Sequence, residues 1–248
     1  MESKMSRPVA SLAQSIHDVV VANRILAHEG VLDAYGHVSV RHPLHADRYL
    51  LSRSRSPELV EAGDIMEFLI DGTPVGEHPP APYVERFIHG AVYEARPDIH
   101  SVIHSHALEV MPFTIGNIKL VPVMHVASDM GMEVPVWDIR DNFGDTMLLV
   151  SNLAQGRDMA KCLGANKTVL MRGHGFTSTG RTIVDAVKAA VYLPQNARVL
   201  KEALLMGGGA KTLSPGEIAV RSNVDPYSPQ VQRAWEYWAL RAGVKPYL

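Results

Sequence analysis

The sequence predicts an α/β protein in which one β-sheet is flanked by helices. Segments with apolar residues at three-to-four spacing alternate with short runs that favour strands. Several of those runs are joined by turns short enough for hairpins. No internal repeat or interdomain linker interrupts the chain, and 248 residues lie within the range of one α/β domain. We therefore predict a single domain over residues 1–248.

Local signals place the individual elements. Ser11 can cap the first helix, and Pro97 must end the second, which has Glu85 in its first turn. Thr182 opens a segment that resembles a capping box before a long helix, in which Pro194 should cause a kink or an interruption. The predicted elements are a helix at 12–29, a hairpin at 38–52, a short hairpin at 64–74, a helix from 82, a strand at 100–106, extended segments at 120–126 and 146–150, a helix at 153–163, a strand at 168–171 and a helix from 183.

The composition excludes several classes of partner. A net charge of −2 and a pI near 6.6 give no general attraction to nucleic acid or to an anionic membrane surface. No apolar run approaches the roughly 18 residues that a membrane helix needs, and residues 1–8 lack the apolar core of a signal peptide. We expect a cytoplasmic protein without nucleic-acid or membrane partners. The single cysteine, Cys162, excludes an internal disulfide and a multi-cysteine metal site.

Three histidines form a candidate metal site. His104 and His106 are two residues apart, which in a strand places both imidazoles on one face with backbones about 6.6 Å apart. The same pair also fits two ordinary polar histidines in a strand. His174 lies between two glycines after an apolar strand, either as a third ligand or as a turn histidine. A metal ion held by three imidazoles keeps one coordination position open, and there it can accept and polarise a substrate oxygen.

Glu85 is the candidate fourth member of this site. Its carboxylate could be a metal ligand or a catalytic acid or base. Alternatively, Glu85 is a solvated residue that the helix dipole favours in a first turn, without any function.

These residues lie in segments that resemble the class II aldolase and adducin superfamily, which includes fuculose phosphate aldolase and ribulose phosphate epimerase. Glu85 precedes His104 by 19 residues, which is similar to the family's spacing between its catalytic glutamate and its His-x-His pair. The matching segments span most of the chain and comprise residues 35–41 (Tyr-Gly-His-Val-Ser-Val-Arg), Glu85 with 96–98 (Arg-Pro-Asp), 102–106 (Val-Ile-His-Ser-His) and 172–175 (Arg-Gly-His-Gly).

The resemblance implies a fold and a site. The implied fold is a three-layer α/β/α domain with a central, mainly antiparallel sheet. The implied site is one divalent metal ion per subunit, held by His104, His106 and His174 with Glu85 as ligand or acid/base. Zinc or manganese suits such ligands, and no organic cofactor is implied. The resemblance further implies a homotetramer with sites at the subunit interfaces.

The segment around Arg53 and Arg55 points to one branch of this family. The sugar-phosphate aldolases bind phosphate with a serine pair just before the glutamate, where this chain has Tyr83 and Val84. Residues 51–57 contain two arginines among serines, which suits bidentate recognition of carboxylates. With residues 64–68 and 138–140, this segment resembles the decarboxylases of hydroxylated aromatic dicarboxylates, such as hydroxymethylpyridine dicarboxylate and dihydroxyphthalate. The candidate substrate-binding residues are Ser52, Arg53, Ser54 and Arg55, although a solvated edge strand would explain them too.

The expected activity is that of a metal-dependent carboxy-lyase on a small aromatic carboxylate, removing the carboxylate beside a ring hydroxyl that contacts the metal. Glu85 is the candidate proton carrier, a role for which a raised pKa would be needed. A sugar-phosphate aldolase or epimerase is the alternative enzyme. The second alternative is a non-catalytic adducin-like module, against which the retained histidines count.

Four further residues have two interpretations each. His37 stands where many family members have Asn, and it either touches substrate or packs against the hairpin. His125 either acts in the site or caps a loop at 127–131. Arg172 is a carboxylate partner or a surface charge. Tyr237, on a C-terminal helix, either donates a proton across a subunit interface or packs with its aromatic neighbours. The segment at about 212–248 would pack on the domain or on a neighbouring subunit.

Overall fold

A seven-stranded sheet organises residues 10–221 and 224–248, the part of the chain that this computed structural model describes. The strands are β1 (His37–Arg41), β2 (Arg48–Ser52), β3 (Ile65–Leu69), β4 (Ser101–Ser105), β5 (Val136–Trp137), β6 (Thr168–Met171) and β7 (Gly175–Gly180). Their order is β3-β2-β1-β4-β7-β6-β5, and every neighbouring pair is antiparallel except β5 and β6. The predicted, mainly antiparallel sheet is confirmed.

Helices cover both faces of this sheet. They are α1 (Leu12–His28), α2 (Arg86–Ala95), α3 (Met111–Ile115), α4 (Arg140–Phe143), α5 (Leu153–Leu163), α6 (Ile183–Leu205), α7 (Pro215–Arg221) and α8 (Pro229–Arg241). Short 3-10 helices lie at Pro57–Leu59, Ala62–Asp64, Leu108–Val110 and His125–Met130.

Alternation along the strands creates two apolar cores. On β4, Val102 packs into a core with α2 and α5, whereas its neighbour Ile103 packs into a core with α1, α6 and α8. On β6, Val169 packs into the core with α2 and α5, and Leu170 packs into the core with α1, α6 and α8. The helices and the sheet therefore form the three-layer α/β/α arrangement that the family resemblance implies.

Elements with strong local signals have the predicted bounds. Ser11 Oγ accepts a hydrogen bond from the Gln14 amide at the start of α1. Thr182 Oγ1 accepts in the same way from the Asp185 amide at the start of α6. The hairpin of β1 and β2, helix α5 and strand β6 are also confirmed.

The segment predicted to be extended at 120–126 joins no strand, because a buried side chain takes the place of a neighbouring strand. The amides of Val123 and Met124 both donate to Oδ1 of Asn196 on α6, at 2.8 and 3.1 Å. The Asn196 amide group donates in turn to the Val121 carbonyl. The segment then enters the 3-10 helix His125–Met130, where the sequence predicted a loop.

The segment predicted to be extended at 146–150 forms no strand either. Leu148 has a φ of 63°, which interrupts an extended chain. The amide of Val150 donates to Glu85 Oε1 at 3.0 Å rather than to a strand. This segment therefore joins the neighbourhood of Glu85.

The helix predicted from residue 82 begins later than expected. Pro82 forms a β-bridge with Arg53, and the Ala81 carbonyl accepts from the Ser54 amide. These extended contacts delay α2 until Arg86, so that Glu85 lies immediately before the helix rather than in its first turn. The short hairpin predicted at 64–74 is reduced to β3 and a single bridge between Phe68 and Pro74.

The long helix α6 continues through Pro194, so of the two predicted effects of this proline the interruption is wrong and the kink stays a prediction. Neither α6 nor any other helix within the described residues is long and apolar enough to cross a membrane. Helix α8 packs on α1 and α6 through the buried side chains of Trp235 and Trp238. The Trp235 indole donates to the Pro246 carbonyl at 2.9 Å, which fixes the end of the chain against α8.

We expect Gly156→Ala to destabilise the protein, because α2 and α5 approach closely at Gly156. A Cβ there would lie 2.5 Å from the Phe87 carbonyl oxygen of α2. Overpacking costs about 1–3 kcal/mol, against a gain in helix propensity of about 1 kcal/mol. The free energy of unfolding, measured by urea denaturation, should fall. The control is Gly216→Ala in α7, where the nearest atom lies 3.8 Å away and no loss is expected. Equal stability of both variants would contradict this close approach.

Candidate metal centre

The three predicted histidines converge at one end of the sheet. The distances between their Nε2 atoms are 3.0 Å for His104 and His106, 3.3 Å for His104 and His174, and 3.1 Å for His106 and His174. His104 belongs to β4, and His106 follows its last residue. The structure thus brings together residues that are up to 70 positions apart in sequence.

A glycine lets His174 reach the pair on β4. His174 lies in the turn between β6 and β7, and its amide donates to the Met171 carbonyl at 3.1 Å. A Cβ on Gly175 would lie 2.0 Å from the Ser105 carbonyl oxygen. Only glycine permits this contact between the two backbones.

Glu85 completes the cluster from the start of α2. Its Oε2 lies 3.5 Å from Nε2 of both His104 and His174. Its Oε1 accepts the hydrogen bond from the Val150 amide. The carboxylate and the three imidazoles each offer one donor atom, and these four atoms lie within 4.8 Å of one another.

The hydrogen bonds of the imidazoles leave lone pairs inside the cluster. His104 Nδ1 faces the Phe176 carbonyl at 3.1 Å, and His106 Nδ1 faces the Asp33 carboxylate at 3.1 Å. Both partners only accept, so both Nδ1 atoms carry hydrogen, and in the neutral form of each ring the Nε2 atom keeps its lone pair. The Nε2 atoms of His104 and His106 are 3.0 Å apart, and their lone pairs repel each other unless a cation lies between them.

The donor set fits a divalent ion. Bonds of about 2.0–2.1 Å to a tetrahedral metal place two nitrogens about 3.3–3.4 Å apart, close to the separations in the cluster. Imidazole and carboxylate ligands together suit zinc and other first-row ions. The Asp33 carboxylate and the Phe176 carbonyl orient the rings of His106 and His104, as is usual for metal-bound histidine.

The electrostatics favour a neutral His104 and an ionised Glu85. Burial lowers the pKa of His104 to about 4. Burial alone would raise the pKa of Glu85, but the adjacent His104 and His174 imidazoles outweigh burial and hold that pKa well below its usual range. The raised pKa that a resting proton donor would need is therefore absent. Glu85 starts as a carboxylate, which suits a ligand or a proton acceptor.

His37 adjoins the cluster on β1. It is the Cα partner of His104 in the β1–β4 ladder, and the centroids of the two rings are 5.1 Å apart. His37 Nδ1 lies 2.7 Å from His89 Nε2, and His89 Nδ1 lies 2.6 Å from Ser39 Oγ. Ser39 Oγ lies 2.7 Å from the Tyr93 hydroxyl. Burial lowers the pKa of His37 and brings that of His89 to about 3, so both rings are neutral.

The sequence analysis missed Asp33, Ser39, His89 and Tyr93. Three of them carry a readable signal. His89 and Tyr93 follow Glu85 at intervals of four residues, which places both on the face of α2 that continues from Glu85. Ser39 follows His37 by two residues on β1 and shares its face. Asp33 lies in a loop and carries no comparable signal.

The two arginines of the predicted carboxylate site are held by one buried aspartate. Arg53 Nε lies 2.6 Å from Asp64 Oδ1, and Arg55 Nη1 lies 2.7 Å from Asp64 Oδ2. Burial of Asp64 opposes ionisation, but the Glu61 amide and the two guanidinium groups keep its pKa below the usual value. The arginines are therefore parts of an ordered structure rather than freely solvated charges.

Tyr83 links this group to the metal cluster. Its hydroxyl accepts a hydrogen bond from Ser52 Oγ at 3.1 Å and donates to the Arg55 carbonyl. The ring of Tyr83 lies 4.6 Å from that of His37, centroid to centroid. Ser54, by contrast, is exposed.

The other predicted site residues lie outside these contacts. Arg172 pairs with Asp138, with 2.5 Å between Nε and Oδ2. His125 is exposed at the start of its 3-10 helix. Tyr237 is 58% exposed on α8. Among the described residues, no hydrogen bond or ring contact joins His125 or Tyr237 to the four donors, and the roles of all three residues stay predictions.

A cavity of about 510 Å³ opens at the opposite ends of the same strands. It is lined by residues that include Arg41 at the end of β1, His100 before β4 and Arg181 after β7. None of the four candidate metal ligands lines this cavity, so the cavity is separate from the candidate metal site.

The chain is similar to known proteins over most of its length. Residues 17–200 match the family described as Class II Aldolase and Adducin N-terminal domain. The decarboxylase tropJ of Talaromyces stipitatus is 34% identical, over 96% of this chain and 95% of the relative. The 3,4-dihydroxyphthalate decarboxylase of Arthrobacter keyseri is 28% identical, over 90% of this chain and 92% of the relative.

Solved structures show the same fold. An aldolase II superfamily protein from Pseudomonas syringae has a TM-score of 0.78 at 19% identity, covering 95% of this chain and 94% of its own. L-fuculose 1-phosphate aldolase from Glaciozyma antarctica has a TM-score of 0.70 at 21% identity, covering 98% and 91%. Together with the match over residues 17–200, these findings establish that the chain belongs to the class II aldolase and adducin family.

Proposed function

We propose that this chain is a divalent-metal-dependent decarboxylase that acts on a hydroxylated aromatic or pyridine dicarboxylate. The observation that carries the proposal is the convergence of three imidazoles and the Glu85 carboxylate within 4.8 Å. Similarity over nearly the whole chain to two proteins named as decarboxylases supports the type of reaction. The retained donors count against a non-catalytic, adducin-like role.

His104, His106 and His174 would hold the ion, and Glu85 would be a fourth ligand only while it carries no proton. Zinc and manganese are the best candidates for these ligands. A bound divalent ion would supply a Lewis acid that draws electron density from a substrate oxygen. Decarboxylation needs this because the electron pair of the broken bond must enter the ring. Asp33 and the Phe176 carbonyl hold two of the imidazoles in position for their ligand role.

Glu85 is the proton carrier of the proposal. Its carboxylate takes the proton of the ring hydroxyl and returns it to the ring carbon that carries the departing carboxylate. The bond between that carbon and the carboxylate then breaks, its electron pair restores the aromatic ring, and carbon dioxide leaves. Oε2 is the oxygen that faces the imidazoles, since Oε1 is occupied by the Val150 amide.

The second carboxylate of the substrate would bind to Arg53 and Arg55. Each arginine uses one N–H group for Asp64, which leaves further donors on both guanidinium groups. Because Asp64 already holds the side chains, less conformational entropy is lost when a carboxylate binds. Tyr83 and Val84 stand where the aldolases have their serine pair, which disfavours the sugar-phosphate alternative.

We expect the metal-loaded protein to release carbon dioxide from 3,4-dihydroxyphthalate. Release is measured together with the appearance of the monocarboxylate, over a panel of hydroxylated phthalates and pyridine dicarboxylates. The control is His104→Ala, which removes one donor of the cluster and should lose both products. No release from any member of the panel, with cleavage of L-fuculose 1-phosphate instead, would favour the aldolase alternative.

Asp33→Asn should weaken metal binding about 10–100-fold, because Asp33 orients His106 from outside the donor set. The metal content and dissociation constant are measured by elemental analysis and competition with a chelator. The matched control is Asp98→Asn, since Asp98 is similarly exposed and pairs with Arg96 away from the cluster. A wild-type protein without about one divalent ion per subunit would contradict the enzyme proposal itself.

Arg53→Ala and Arg55→Ala should raise KM about 10–100-fold, as expected for the loss of hydrogen bonds to a charged group. Metal content should stay unchanged. The control is Arg48→Ala, because Arg48 lies at the other end of β2 and pairs with Glu67. Variants with the wild-type KM would remove both arginines from the substrate site.

A further inference from the structure

A row of buried polar groups leads from α2 to the edge of the metal centre. It consists of Tyr93, Ser39, His89 and His37, joined by three contacts of 2.6–2.7 Å. All four side chains are buried. In each contact only one hydrogen can lie between the two heavy atoms, so the direction of one bond constrains the next.

The direction is set at Tyr93. The Tyr93 side chain is buried, so its hydroxyl hydrogen needs an acceptor within the protein. Ser39 Oγ is the acceptor that the described residues provide. The Tyr93 hydroxyl therefore donates to Ser39.

The remaining bonds follow in order. Ser39 Oγ accepts from Tyr93, so its own hydrogen is directed to His89 Nδ1. His89 Nδ1 is then an acceptor, and the hydrogen of this neutral ring lies on Nε2, which donates to His37 Nδ1. The hydrogen of neutral His37 must lie on Nε2 as a consequence. In the opposite direction, the buried hydroxyl hydrogen of Tyr93 would have no acceptor.

We propose that Tyr93, Ser39 and His89 are positioning residues that fix His37 as the neutral Nε2–H tautomer, which offers a hydrogen-bond donor to an anionic substrate oxygen beside the metal ligands. His37 stands between His104 and Tyr83, whose ring centroids are 5.1 and 4.6 Å from its own. A nitrogen that carries hydrogen has no lone pair for a metal, so His37 is not a further ligand. The substrate part of this inference rests on the proposed function, whereas the tautomer does not.

Nitrogen NMR tests the tautomer directly. The protein is labelled with 15N-histidine and loaded with zinc, which is diamagnetic, and long-range proton–nitrogen correlations identify which ring nitrogen carries hydrogen. His37→Gln and His89→Gln assign the signals by their loss. We expect the Nε2–H pattern for both His37 and His89. An Nδ1–H pattern at His37, or a metal-bound nitrogen there, would overturn the proposal.

Two variants test the role of the hydroxyl row. Tyr93→Phe removes the hydrogen that sets the direction, and Ser39→Ala breaks the row at its centre. Each should move His37 from a single Nε2–H form to a mixture with the Nδ1–H form. The matched control is Tyr49→Phe, since Tyr49 is an equally buried tyrosine that lies beside His89 but donates to the Arg86 carbonyl. An unchanged His37 tautomer in both test variants would refute the positioning role.

This measurement needs no substrate. If no carbon dioxide is released but His37 has the expected tautomer, the proposed function fails and the positioning role stands. If carbon dioxide is released and His37 carries hydrogen on Nδ1, the positioning role fails and the proposed function stands. Should Tyr93→Phe fail to fold, the wild-type spectrum still decides the tautomer.

Discussion

The repulsion between imidazole lone pairs is the constraint on which the rest of the site depends. His104 and His106 are fixed as Nδ1–H rings by acceptors behind them, so their bare Nε2 atoms face each other at 3.0 Å. A cation relieves this repulsion, and the Glu85 carboxylate adds negative charge beside it. The close approach of Gly175 to the Ser105 carbonyl serves the same end, because it brings His174 to the pair. The geometry of the candidate metal site therefore depends on this backbone packing.

The parts of the fold with local causes could be predicted from the sequence. Caps at Ser11 and Thr182 and the alternation on β1 and β4 act within a few residues, and the corresponding elements are confirmed. The predictions for 120–126 and 146–150 failed because amides in these segments donate hydrogen bonds to side chains that are far away in sequence. Asn196 and Glu85 replace a neighbouring strand at these places, and no local pattern of apolar residues reports such a partner.

The candidate site divides in the same way. The His-x-His pair could be predicted because strand alternation places both rings on one face, and family spacing added Glu85 and His174. The second layer of contacts was missed, since Asp33 reaches His106 from 73 residues away. His89 was missed for another reason: its interval of four residues from Glu85 was readable, but a buried histidine on a helix is more often a packed residue than part of a site. Burial and hydrogen-bond direction separate these two cases, and only a structure supplies them.

The fold alone cannot separate decarboxylation from aldol cleavage, because both reactions need an electron-accepting cation and the fold is shared with an aldolase at 21% identity. The distinction must lie in residues on the substrate side of His104. There, Tyr83 and His37 occupy space beside the metal ligands, and the arginine pair is held by Asp64. The Tyr83 hydroxyl is already bonded to Ser52 and to the Arg55 carbonyl, and the N–H groups that the arginines do not use for Asp64 are hydrogen-bond donors. A planar substrate with two carboxylates matches a fixed set of donors better than a flexible sugar phosphate does, since fewer of its own rotations are lost on binding.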